Sequence, residues 1–125
     1  MHPYSFAFNP PAPAFEIVIQ HPDDPARTVP ALAQLDTAAD LSCIPDHLIA
    51  ALGLERADET TTAGYDGRPA LNLLYLITLK INGYTIERVR AIAISDPVFL
   101  LGRNVLNHFN LTLRGKDQTF DIIDP

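Results

Sequence analysis

The chain has 125 residues, 47% of them hydrophobic and 19% charged, which suits one domain with a real core and excludes a disordered segment. A net charge of −6 leaves no basic footprint for nucleic acid, and no apolar run approaches the roughly 20 residues of a membrane-spanning helix. Cys43 is the only cysteine, and His2, His21, His47 and His108 are scattered without ligand spacing. Neither a disulfide staple nor a metal or other cofactor is therefore expected. The opening Met-His-Pro-Tyr-Ser lacks the basic and apolar regions of a secretory signal, so the expected compartment is the cytoplasm.

Seven of the 11 prolines lie in the first thirty residues, and Pro10, Pro11 and Pro13 forbid a helix or a central strand there. Residues 1–14 are expected to form a proline-rich arm along the surface, and 15–125 the domain proper. Residues 15–20 (Phe-Glu-Ile-Val-Ile-Gln) read as a strand, 21–26 as a turn and 28–35 as a second strand. Residues 45–52 suit a two-turn helix, with Pro45 at its first turn and Gly53 at the left-handed position that ends it. Strands are predicted over 59–63 and 70–81, flanking Gly64-Tyr65-Asp66-Gly67. Asn82-Gly83 between apolar β-branched runs predicts a tight hairpin into 84–94. Val98-Phe99-Leu100-Leu101 reads as a short buried strand, 104–109 as a short helix, and Gly115-Lys116 as the turn of a last hairpin. Many short strands and two short helices make the chain mainly β.

Chemistry has two candidate locations. The segment Asp36-Thr37-Ala38-Ala39-Asp40-Leu41-Ser42 follows a strand directly, so that a carboxylate can lie at the floor of a cleft, with the Thr37 hydroxyl fixing the local backbone. Leu100-Leu101-Gly102-Arg103-Asn104 brings an arginine to a helix start behind a buried strand, where it needs a carboxylate partner. Taken singly, Asp36 or Thr37 also reads as a strand terminator, with Asp40 or Ser42 opening a helix, and Arg103 as a surface residue.

Together the two motifs resemble those of the retropepsin-like (retroviral-type) aspartic proteases, in a single-domain relative. That family has a strand ending in Asp-Thr/Ser-Gly-Ala, a glycine-bearing flap hairpin, and apolar residues before Gly-Arg-Asn/Asp and a short helix. The corresponding residues are Ala33-Gln34-Leu35-Asp36-Thr37-Ala38-Ala39-Asp40, then Ala63-Gly64-Tyr65-Asp66-Gly67, then Phe99-Leu100-Leu101-Gly102-Arg103-Asn104-Val105-Leu106. The resemblance covers residues 16–122. It implies a small closed β-barrel of the acid-protease type that functions as a homodimer, without cofactor, on peptide or protein substrates.

By the same resemblance Asp36 is the catalytic carboxylate, completed by Asp36 of a second chain. Thr37, Ala38 and Ala39 support the dyad, and Asp40 pairs with Arg103. Residues Ala63, Gly64, Tyr65, Asp66 and Gly67 form the flap over the substrate. Leu101, Gly102 and Asn104 belong to the second motif, while Leu35, Leu101 and Ile77 are core or pocket-wall residues. Loss of Arg103 is expected to weaken folding or dimerisation by leaving Asp40 partly buried and unpaired. Apolar residues are expected beside the cleaved bond. Ala38 stands where the family usually has glycine. That departure keeps open a second reading, a catalytically weak or inactive peptide-binding or dimerisation module on the same fold. A third is a small β-barrel structural subunit.

Overall fold

A computed structural model describes the backbone of residues 1–63 and 69–124 and the side chains of 1–58 and 71–124. The expected flap turn, Gly64 to Gly67, lies outside the described residues. The elements in chain order are β1 (His2–Pro3), β2 (Ala14–His21), β3 (Asp24–Leu35), β4 (Ser42–Pro45), α1 (Asp46–Leu52), β5 (Asp58–Ala63), β6 (Pro69–Ile81), β7 (Tyr84–Ile94), β8 (Phe99–Leu101), α2 (Arg103–Leu106), β9 (Asn110–Arg114) and β10 (Thr119–Ile123). The chain is mainly β, and no helix among the described residues is long and apolar enough to cross a membrane.

Strand pairing follows local chemistry where the turns are short. Asn82 and Gly83 both take positive φ (50° and 84°), the backbone that a two-residue hairpin with native twist requires, and β6 and β7 pair antiparallel across them. Pro22 and Asp23 turn β2 into β3 without positive φ, and the register shifts between Gln20 and His21 beside them. Gly53, with φ 65°, ends α1 in the left-handed conformation, and its N–H reaches the Ala50 carbonyl.

The remaining pairings are non-local. In the larger sheet the order is β2-β3-β8-β4-β7-β6-β5, and Val18–Gln20 of β2 also pair with Thr78–Lys80 of β6. The pairings therefore return to their starting strand, with β5 attached outside the ring. Among the described residues two pairings are parallel, β3 with β8 and β4 with β7, and the first of them ends at Asp36. Inside the ring sit Ile17, Ile19, Ile44, Ile77, Leu79, Ile81, Phe99, Leu101 and Val105, all essentially without solvent contact. Burial of this many large apolar side chains is what holds a disulfide-free chain together.

A second, three-stranded sheet has the order β1-β10-β9. It joins the proline-rich segment to the other end of the chain. The His2 ring lies between Phe15 and Phe120 at 4.8 and 5.1 Å, Ser5 bridges to Ala12, and the Leu35 N–H donates to the Pro13 carbonyl at 3.0 Å. Ala12 and Ala14 are buried. Residues 1–14 thus reach the strand that leads to Asp36.

Asp121 of β10 accepts a hydrogen bond from Arg114 at 2.7 Å and lies 3.4 Å from the Met1 ammonium. The Arg114 hydrogen bond, and then the ammonium, outweigh partial desolvation and lower its pKa below the ordinary value of 3.8. A carboxylate with a lowered folded pKa contributes stability that is complete above its unfolded pKa and is lost as pH falls through the folded one. The thermal midpoint of the wild type is therefore expected to exceed that of Asp121→Asn at pH 6, with the gap closing below about pH 4. A gap independent of pH in a series of melts would refute this assignment.

Candidate functional site

The two sequence motifs meet where β3 and β8 run parallel. Leu35 lies opposite Leu101, and the ladder continues one residue further, because the Asp36 N–H donates to the Leu101 carbonyl at 2.9 Å. Asp36 therefore leaves the sheet at a fixed point. Its Oδ1 accepts a hydrogen bond from the Ala38 N–H at 3.2 Å, and its carbonyl accepts one from the Ala39 N–H at 3.3 Å. These bonds fold 36–39 into a tight turn that leaves the carboxylate half-buried, while Thr37 and Ala38 are exposed.

The second motif clamps that turn from below. The Arg103 N–H donates to the Ala39 carbonyl at 2.9 Å, and Arg103 Nη1 donates to the Thr37 carbonyl at 2.7 Å. Arg103 Nη2 donates to Asp40 Oδ1. Asp40 and Arg103 thus come together, but in solvent, with side chains 85% and 43% exposed. The expectation that Asp40 would be partly buried differs from what this chain alone presents. An ion pair so exposed contributes little, because water screens it and two long side chains must be ordered to make it. Arg103→Ala is accordingly expected to lower the stability of the single chain by about 1 kcal/mol or less. A loss above about 3 kcal/mol in a denaturant titration would show a buried role instead.

The stronger tie was not read from the sequence. Asn104 Oδ1 accepts from both the backbone N–H and the hydroxyl of Ser42, each at 2.9 Å, and Asn104 Nδ2 donates to the Arg90 carbonyl at 2.9 Å. Ser42 is fully buried, and its Oγ accepts from the Gly102 N–H at 3.0 Å. One carboxamide and one hydroxyl thereby join β4, β7 and the start of α2. Ser42 had suggested only a helix start. It instead opens β4, a four-residue strand whose parallel pairing with β7 leaves no local signature.

Gly102 is required by space rather than by dihedral angle. A Cβ placed there would lie 2.5 Å from both the carbonyl carbon and oxygen of Leu41. The two motifs cross so closely that no side chain fits between them. Of the other site residues, Leu35, Leu101 and Ile77 are all buried in the core, so none of them forms a wall of an open pocket. Ala63 ends β5 opposite Pro69 of β6. A cavity of about 420 Å³ lies at the other end of the sheet, lined by His21, Arg27, Leu54 and Leu76 among others, and no lining residue belongs to either motif.

Cys43 of β4 reports on the charge at the site. Burial raises its thiol pKa, and the negative charges of Asp36 and then Asp96 raise it further. Neutralising Asp36 removes one of these causes. Asp36→Asn is expected to lower the pH at which Cys43 alkylates with iodoacetamide, a shift that would be missing if Asp36 lay elsewhere.

With this geometry in place, the chain can be compared with known proteins. Residues 27–108, which hold both motifs, match the family described as "gag-polyprotein putative aspartyl protease", and the chain belongs to that family. Among solved structures it is similar to the EIAV protease complexed with the inhibitor HBY-793. The identity is 26% and the TM-score 0.56, over 77% of this chain and 86% of that one. It is also similar to a retropepsin-like aspartic protease from Rickettsia conorii, with 18% identity and a TM-score of 0.52 over 81% and 86% of the two chains. A third similarity is to the foamy viral protease-reverse transcriptase, at 13% identity and a TM-score of 0.56 over 78% of this chain, which spans only 12% of that longer one. No curated protein matches by sequence. The fold is thus retropepsin-like, in agreement with the resemblance carried by the two motifs.

Proposed function

We propose that the protein is an aspartic endopeptidase whose active site forms between two copies of the chain. The observation that carries this reading is Asp36: a half-exposed carboxylate held at a strand end by both motifs, in a chain of the aspartyl protease family. Each chain supplies one such Asp, so a twofold, isologous dimer is needed to make a pair. The ring of strand pairings would serve as the small closed barrel of each protomer, and the exposed Thr37 as the contact across the pair.

Two carboxylates roughly 3 Å apart share one proton and titrate as a pair. The ionised Asp36 takes a proton from a water held between them. That water attacks the scissile carbonyl carbon while the protonated Asp36 of the other copy hydrogen-bonds the carbonyl oxygen. Collapse of the tetrahedral species passes a proton to the leaving amine and releases two peptides. The hairpin extending from Ala63 through Gly64, Tyr65, Asp66 and Gly67 would close over the substrate and exclude bulk water.

The backbone at Ala38 does not itself call for glycine. The non-glycine residues with positive φ among those described are Asn82, Arg88 and Gln118, so Ala38 has an ordinary backbone and its methyl group carries no strain of that kind. Cleavage of a peptide library between about pH 4 and 8, read by mass spectrometry, tests the proposal. Cleavage by the wild type that is strongest on the acid side of neutral supports it. A stable dimer that binds peptides and cuts none would instead favour a peptide-binding module.

A further inference from the structure

We propose that Gln34 makes this protease prefer an uncharged, hydrogen-bonding side chain, an amide or a hydroxyl, at a residue flanking the cleaved bond. The inference rests on the protease reading above and refines its substrate class. Side chains alternate along β3. Ala33 and Leu35 point into the core, as do their register partners Phe99 and Leu101 of β8, and all four are buried. Gln34 must then point to the opposite face, the one that Asp36, two residues on, also occupies. Its register partners are Ala14 of β2, which is buried, and Leu100 of β8, and Leu100 is in turn opposite Cys43 of β4. Gln34, Asp36, Leu100 and Cys43 are all half-buried, and the thiol of Cys43 feels the Asp36 charge. Three strands therefore put these four residues on one patch, and Asp36 is the reacting group within it.

On that patch Gln34 is the neutral side chain able both to donate and to accept strong hydrogen bonds. No described residue hydrogen-bonds its side-chain amide, in contrast to the carboxamide of Asn104, whose oxygen accepts two bonds and whose nitrogen donates one. An extended peptide lying over Asp36 must cover this patch and remove water from Gln34. An apolar side chain there leaves the amide desolvated and unpaired, which is unfavourable. An amide or hydroxyl restores the bond, while Leu100 still receives the apolar part of the side chain. On this proposal the expected apolar flanking residues become a mixed subsite.

The test is a peptide library randomised at the two residues flanking the cleaved bond, cut by wild type, Gln34→Leu and Gln34→Glu. The readout is the ratio of cleavage at Asn, Gln, Ser and Thr to cleavage at Leu and Phe, which does not depend on total rate. Gln34→Leu is expected to lower that ratio by at least about tenfold, since a lost hydrogen-bond partner reverses the preference. Gln34→Glu is expected to admit Lys and Arg through a new charge pairing. Cleavage with the same profile in all three proteins would overturn the role of Gln34 while leaving the protease reading intact. If the wild type cuts nothing, the protease reading fails and this inference with it.

Discussion

Asp36→Asn is expected to reduce peptide hydrolysis by about 10³-fold or more without loss of the fold. In the proposed mechanism the substitution removes a group that serves as base or acid, and such proton transfers are each worth roughly 10²–10⁴ in rate. Asparagine keeps an oxygen where Asp36 Oδ1 accepts the Ala38 N–H, and the backbone bond to the Leu101 carbonyl is unaffected. The stability should therefore change by no more than the roughly 0.5 kcal/mol typical of a partly exposed replacement. In the proposed dimer, replacing a carboxylate also relieves the repulsion between the two members of the pair, so that dimer should hold at least as well. Cleavage rates by mass spectrometry and melts on the same samples separate the two effects. An Asp36→Asn protein that still cuts at a tenth of the wild-type rate would place the chemistry elsewhere.

The second large effect is structural. Gly102→Ala would put a methyl carbon 2.5 Å from the Leu41 carbonyl and 2.8 Å from the Ser42 nitrogen, and backbone has no rotamer by which to withdraw. The motifs must separate, which stretches the hydrogen bond from Gly102 to Ser42 Oγ and breaks up the Asn104 cluster behind it. A loss of at least about 3 kcal/mol is expected, or roughly 10 °C in the melting midpoint for a domain of this size. The adjacent Arg103→Ala, which removes a solvent-exposed pair, is expected to cost far less. Comparable losses for the two variants would mean that the ion pair, rather than the close crossing, holds the site.

Most of the fold was legible because its turns are local. Asn82-Gly83, Gly53 after the first helix and the Pro-Asp turn between β2 and β3 each express a backbone preference that needs no knowledge of the rest of the chain. What escaped was non-local. The strand β4 is four residues long, starts at a polar serine and ends at a proline, so only its pairing with β7 makes it a strand. The strand β1 has two residues and exists because β10 lies beside it. The last helix is shorter than the 104–109 expected. It spans Arg103–Leu106, and the His108 and Phe109 N–H groups then bond three residues back rather than four.

The same division applies to the site. Asp36, Thr37, Gly102, Arg103 and Asn104 stood out as motifs, since strand-end polar residues are unusual in an apolar context. The purpose of Gly102 was hidden, because it lies in its distance from Leu41, some sixty positions away in the chain. Ser42 was obscured for the opposite reason. A serine after a loop has many local explanations, and only its burial against Asn104 reveals the one that applies. Gln34 gave no signal either, because a polar residue in a strand reads as solvent-facing until the neighbouring strands are known.

The claim on which everything else depends is that one active site uses Asp36 from two chains. It is tested most directly by refolding wild-type and Asp36→Asn chains together in varied proportions and measuring the cleavage rate of a single peptide. If the site is shared, only dimers with two wild-type chains cut, so equal proportions should leave about a quarter of the wild-type rate. If each chain works alone, the rate should fall in direct proportion to the wild-type fraction, leaving about half at that point, and the shared-site account would be wrong.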